Sequence, residues 1–125
     1  SVTVEGEGYA FIGREHAREL IKNLVENAVR YNRKGGFVKV TVKTLADETV
    51  LTVADDGTGI AEEDLPRVFE RFYRVNKSRS RATGGTGLGL SIVKHVCELY
   101  GAEVKMTSKL GEGTVVTVIF ALRGE

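Results

Sequence analysis

The stretch Leu20–Asn32, LIKNLVENAVRYN, constrains the chain more than any other. Wound at roughly 100° per residue, it gathers Ala17, Leu20, Ile21, Leu24, Val25 and Ala28 into one apolar arc. An arc of that width has to be covered, and a sheet is the expected cover. Asn23, Asn27, Arg30 and Tyr31 fall together on a flank of the arc, two amides at i, i+4 and then a cation and a ring. A solvated helix edge reads equally as an explanation, but such an edge is normally filled with Glu, Lys and Ala, because Asn is a poor helix former. An Asn carbonyl is a neutral hard-oxygen ligand of the kind Mg²⁺ accepts while keeping its waters.

The rest of the chain alternates strands with a second helix. Ser1–Gly13 alternates weakly through Val2 and Val4 and predicts an edge strand and a turn. Glu15–Asn32 is the first helix, stopped at Gly35-Gly36. Phe37–Leu45 and Thr49–Ala54 predict strands about a turn at Asp47-Glu48. Ala61–Arg71 predicts a short helix containing Pro66, and Tyr73–Gly87 a long polar, basic loop. Leu88–Tyr100 carries Ile92, Val93, Val96, Cys97 and Tyr100 at core spacing, and Gly101 ends it. Ala102–Ser108 and Thr114–Leu122 predict a final hairpin across Leu110–Gly113. The sum is a single domain over 1–125, a two-layer α/β sandwich whose sheet of about five strands carries its helices on one face.

Composition removes several classes of function. A net charge of +1 gives no bulk field for nucleic acid or an anionic membrane. One cysteine, Cys97, excludes an internal disulfide and a cysteine metal cluster, and suits a reducing compartment. No apolar run reaches membrane-spanning length, and no stretch has the pattern expected of a signal peptide. A start at Ser1 in mid-pattern suggests a piece of a longer protein.

Three further stretches carry chemistry. Asp55-Asp56-Gly57-Thr58-Gly59-Ile60 ends a strand, where a carboxylate can accept from an amino group such as that of adenine; an ordinary Asp-Gly turn reads equally well. Gly85-Thr86-Gly87-Leu88-Gly89-Leu90 precedes a helix and offers unpaired N–H groups to phosphate. It is neither a Walker loop nor a Rossmann fingerprint. Arg74, Lys77, Arg79 and Arg81 have no acid among them, a run that suits polyphosphate or plain solvation. Phe69 and Phe72 of FERFYR have core spacing.

These stretches in this order resemble the nucleotide-binding domain of two-component sensor histidine kinases. NLVENAVRYN is similar to the asparagine box, DDGTGI to the first glycine box, FERFYR to the phenylalanine box and GGTGLGL to the second glycine box. The resemblance covers about Glu15 to Leu122. It implies a Bergerat-type sandwich with a mixed, mainly antiparallel five-stranded sheet, binding ATP and Mg²⁺ under a flexible lid at about residues 73–87. Asn27 would bind the metal, with Asn23 supporting metal and phosphates. Arg30 would reach phosphate and Tyr31 would stack near adenine. Asp55 would take the adenine amine in a pocket shaped by Gly57, Gly59 and Ile60. Tyr73 and Arg74 would sit at the start of the lid, Arg74 near the γ-phosphate. Gly85, Thr86, Gly87 and Gly89 would wrap the phosphates, and Leu88 and Leu90 would line the pocket. Asn23 and Arg74 are the implied catalytic residues.

The resemblance also fixes reaction type. Gyrase-like relatives place a glutamate base one turn before the metal asparagine, where this chain has Asn23, which cannot take a proton. Glu26 points about 100° away from Asn27. Hydrolysis is therefore disfavoured, and transfer to an acceptor held elsewhere is expected. His16 in REHAREL and His95 in the second helix both lack the acceptor motif. The expected partners are a dimerisation and phosphoacceptor domain of the same protein and a response regulator downstream. The domain would be the cytoplasmic portion of a membrane-anchored sensor, itself touching neither membrane nor nucleic acid. An anti-sigma-type serine kinase and a non-catalytic nucleotide-binding module are the alternatives, with FERFYR speaking against the first.

Overall fold

The computed structural model describes residues 2–7, 12–30, 32, 35–69 and 89–121. In chain order these form β1 (Val2–Glu7), α1 (Arg14–Arg30), β2 (Val38–Thr44), β3 (Glu48–Asp55), a 3-10 turn (Leu65–Arg67), α2 (Gly89–Leu99), β4 (Glu103–Lys109) and β5 (Gly113–Ala121). The strands lie in the order β1-β2-β3-β5-β4. β2, β3, β5 and β4 make a continuous antiparallel sheet. β1 adds to its β2 edge in parallel, Val2 opposite Val38. A parallel step needs a crossover, and α1 supplies it.

Strand alternation turns every second residue towards the helices, and the register stacks those residues in rows. Val40, Val53, Val116 and Met106 form one row across β2, β3, β5 and β4, and Val42, Leu51, Val118 and Val104 the next. Leu20, Leu24 and Ala28 of α1 and Val93, Val96 and Cys97 of α2 close over them in one core. The opposite face carries the row Thr41, Thr52, Thr117 and Lys105, so the molecule has two layers. Leu24 is 2% exposed, and Leu24→Ala should cost about 2–5 kcal/mol of stability, read from chemical unfolding. Burial, with Glu98 beside it, pushes the Cys97 thiol up to about 11, so it acts as a small core hydrophobe.

The first helix starts one residue earlier than its spacing predicts and is described to Arg30. Asn32 has left it: its side-chain amide donates to the Phe37 carbonyl at 2.7 Å instead. The apolar arc is also narrower than the wheel suggests, because Ile21 remains 40% exposed. The expected helix at Ala61–Arg71 is replaced, among the described residues, by turns and the short 3-10 element. Pro66 brings no N–H, and the cap residue Asp64 makes no side-chain cap bond. Glu48 belongs to β3 rather than to the turn, with Leu45 N–H donating to its carbonyl at 2.7 Å. α2 is described from Gly89 to Leu99, against an expected Leu88–Tyr100.

Candidate functional site

Asp55 holds the last inward position of β3, following Leu51 and Val53 on the same face. Its row reads Val38, Asp55, Thr114, Ser108 across β2, β3, β5 and β4. The apolar rows of the core thus end in three adjacent polar side chains. Burial raises the Asp55 carboxyl above the usual carboxylate range, and the neighbouring Asp56 adds to this. The backbone N–H groups of Gly57 and Thr114 pull against it, with Gly57 N–H 2.9 Å from Oδ1. A half-buried carboxylate in this position is a strong acceptor for an incoming N–H donor.

Asp56 does something different. Its Oδ1 accepts from Phe37 N–H at 2.7 Å, while Asn32 holds the Phe37 carbonyl. A Cβ on Gly36 would lie 2.2 Å from Asn32 Oδ1 and 2.7 Å from Asp56 Oδ1, so a side chain there would have to push both of these groups aside. This clasp ties the end of α1 that carries Asn27 and Arg30 to the end of β3 that carries Asp55.

Asn23, Asn27 and Arg30 are all partly buried. Asn23 Nδ2 donates back to the Glu19 carbonyl at 2.8 Å, which leaves its Oδ1 uncommitted to the helix. At the other end of α1, Tyr100 receives Gly13 N–H at 3.2 Å and bonds His16 Nδ1. The start of α1 therefore meets the end of α2. Asn27 lies eleven residues beyond His16 (27 − 16) and Gly89 eleven before Tyr100 (100 − 89). Each interval rises about 16 Å along its own helix.

The strand-tip loop is held from below. Gly59 has φ +74°, and a Cβ there would lie 2.2 Å from the Lys109 carbonyl oxygen. Gly111 N–H donates to the Thr58 carbonyl at 2.9 Å, and Ile60 N–H to Ser108 Oγ at 2.7 Å. Gly57 is buried. Leu90 and Phe69 are partly buried and pack on the core.

Of the residues singled out by sequence, the fold places Asn27, Arg30, Asp55, Gly57, Gly59 and Ile60 at one end of the sandwich, with Asn23 a turn back along α1. Tyr31, Tyr73, Arg74, Gly85, Thr86, Gly87, Leu88 and the lid at 73–87 lie outside the described residues. Sequence reasoning missed Ser108, Thr114, Asn32 and the role of Asp56. A signal existed for two of them. Ser108 continues the apolar parity of Val104 and Met106, and Thr114 that of Val116 and Val118. A polar residue in an inward position at a strand end is a residue held for a reason. Among the described residues no three His, Cys, Asp or Glu side chains cluster as a metal cage. The neutral oxygens that could take Mg²⁺ here are the side-chain amide oxygens of Asn23 and Asn27.

An antiparallel sheet roofed on one face by two helices, with an acid, a glycine turn and an amide-bearing helix flank at one end, defines a two-layer nucleotide-binding ATPase domain. Residues 13–124 match the family described as histidine kinase-, DNA gyrase B-, and HSP90-like ATPase, and the chain belongs to it. The chain is 43% identical over 107 residues to the sensor histidine kinase YkoH of Bacillus subtilis, covering 86% of this chain and 23% of that protein. It is 43% identical over 120 residues to the sensor-like histidine kinase SenX3 of Mycolicibacterium smegmatis, covering 94% and 31%. The chain thus spans less than a third of these relatives. Among solved structures it is similar to the mycobacterial sensor histidine kinase MprB, with TM-score 0.83, 27% identity, and 99% and 83% of the two chains covered. Full-length ShkA, solved in complex with AMPPNP, gives TM-score 0.76 at 26% identity, covering 99% and 27%. The domain is a catalytic ATPase domain of the histidine-kinase type. No helix among its described residues is long and apolar enough to cross a membrane.

Proposed function

We propose that this chain, as one domain, binds Mg·ATP and presents the γ-phosphoryl group to a histidine on a separate dimerisation domain of the same protein, with a response regulator receiving the phosphoryl group afterwards. The observation that carries the reading is Asp55, a carboxylate set at the end of a buried row where it has two backbone N–H partners and acceptor capacity to spare. Asp55 accepts from the adenine amine, and Gly57 and Gly59 keep the loop beside it low. Asn27, backed by Asn23, supplies the neutral oxygen for Mg²⁺; the cation, when bound, offsets phosphate charge. Arg30 faces the phosphates, and Tyr31, Arg74 and the glycines of 85–89 complete the site from outside the described residues. Catalysis is positioning and charge neutralisation rather than proton abstraction.

Two features favour transfer over hydrolysis. Asn23 stands where a base would be needed, and its amide is turned back onto its own helix. Neither histidine of the chain lies in the acceptor motif. His16 is bonded to Tyr100 at the far end of α1, and His95 is exposed on α2. The acceptor therefore comes from elsewhere, and the matching relatives are full sensor kinases. The chain belongs to the cytoplasmic part of such a sensor.

The test is reconstitution with a dimerisation domain bearing the acceptor histidine, followed by labelled ATP and acid- and base-stability of the product. Acid-labile, base-stable phosphate on the partner supports the reading. ATP binding without any such product overturns it. Asn27→Ala should leave metal-free nucleotide binding within about twofold and remove most of the Mg²⁺ enhancement, seen by titration with and without EDTA. A full Mg²⁺ enhancement in that variant would move the metal elsewhere.

A further inference from the structure

We propose that Ser108 is a positioning residue that sets adenine selectivity, acting through the strand-tip loop rather than by touching nucleotide. The inference rests on the reading of Asp55 as the adenine acceptor. Ser108 lies 53 residues from Asp55 in sequence (108 − 55) but two strands away in the same row. Its hydroxyl is a three-way junction. Ile60 N–H donates to Oγ at 2.7 Å. The Ser108 hydroxyl donates to the Gly113 carbonyl at 2.9 Å. Thr114 Oγ1 lies 2.7 Å away, and with the serine proton already committed to Gly113, the threonine hydroxyl must be the donor there. One donor and two acceptor sites are thereby all used.

The junction joins the two segments that bracket Asp55. On one side is the loop Asp56–Ile60, whose Gly57 N–H bonds the carboxylate. On the other is the start of β5, whose Thr114 N–H also bonds it. Two close backbone approaches reinforce the same seam: a Cβ on Gly59 would lie 2.2 Å from the Lys109 carbonyl oxygen, and one on Gly113 would lie 2.0 Å from the Asp55 backbone carbonyl oxygen. Ser108 is the side chain that fixes how far the loop stands from the hairpin, and hence where the Asp55 oxygens and the Gly57 backbone face a flat base. Removing its hydroxyl leaves Ile60 N–H and the Thr114 hydroxyl seeking other partners, and the loop shifts to find them.

The experiment compares the chain with Ser108→Ala, Ser108→Thr and Asp55→Ala. Affinities for ATP and GTP are measured by calorimetry, and the Ile60 amide is followed by hydrogen exchange. Ser108→Ala should weaken ATP at least fivefold, bring the ATP-to-GTP affinity ratio down by a similar factor, and speed Ile60 exchange at least tenfold while Val53 and Val116 are unchanged. Ser108→Thr should restore the ratio to within about twofold of the parent. A merely structural serine would lower stability and leave the ratio alone. An unchanged ratio in Ser108→Ala, with Asp55→Ala still impaired, overturns the Ser108 role and spares the adenine reading. Unimpaired ATP binding by Asp55→Ala overturns the adenine reading itself. Should the alanine chain fail to fold, Ser108→Cys, which keeps the volume and weakens the hydrogen bonds, carries the same comparison.

Discussion

Asp55→Ala should weaken ATP binding by about 1–3 kcal/mol, roughly 5- to 150-fold in dissociation constant. The carboxylate sits at the inner end of β3, with backbone N–H groups from Gly57 and Thr114 already in place. Truncation removes the acceptor for the adenine amine and leaves that amine unpaired against a buried row. Calorimetric titration with ATP and with ADP checks it. Equal losses for both place the contact away from the γ-phosphate, and an unchanged affinity removes the assignment.

The same residue carries a stability signature of opposite sign. Its carboxyl is raised from the ordinary 3.8, chiefly by burial, so the folded chain holds the proton more tightly than the unfolded one. Its contribution is therefore fully present below about pH 3.8 and lost as pH rises through the higher folded value. At neutral pH the ionised group subtracts from stability. Asp55→Asn keeps an oxygen for Gly57 N–H and removes the charge. Without nucleotide it should melt no lower than the parent at pH 7, with any gap closing towards pH 4. A residue whose neutral replacement stabilises the empty fold is retained for what it binds. A Asp55→Asn chain that melts well below the parent at pH 7 would make Asp55 a structural acid instead.

Gly59→Ala should cost about 2–5 kcal/mol of stability, the sum of a left-handed backbone penalty and overpacking. At φ +74° the side chain would be strained in open space, and here its Cβ would lie 2.2 Å from the Lys109 carbonyl oxygen. That oxygen belongs to a strand backbone and cannot swing aside as a side chain would. The loop has to lift off the β4–β5 hairpin, carrying Ile60 and the Ser108 contact with it. Unfolding midpoints in denaturant give the stability, and ATP affinity under native conditions reports the shifted loop. Gly35→Ala is the internal control: its φ is +83°, but nothing lies within 4 Å of the added carbon, so only the backbone penalty remains. Equal losses for the two glycines would show that the close approach to Lys109 does not matter.

Several residues of the proposed site stand out in the sequence. The amide flank of α1, the acid at a strand's end and the glycines after it were all identified from spacing and residue type. What the sequence obscured was the division of labour between adjacent acids. The sequence reading gives Asp56 no role, yet alternation turns Asp55 into the core and Asp56 onto Phe37 N–H. The helix expected across Ala61–Arg71 failed for a local reason, since Pro66 withdraws a backbone donor and Asp64 provides no cap.

Residue order alone determined the elements and the chemistry they carry, because helical and strand periodicities are local properties of a chain. The polar row Asp55, Thr114 and Ser108 was decided only by the tertiary structure. Its members are brought together by strand register between segments more than fifty residues apart, and register depends on which strands pair, not on any spacing within one of them. The clasp of Asn32 and Asp56 around Phe37, and the meeting of His16 with Tyr100, are likewise contacts between elements that no periodicity within either element encodes.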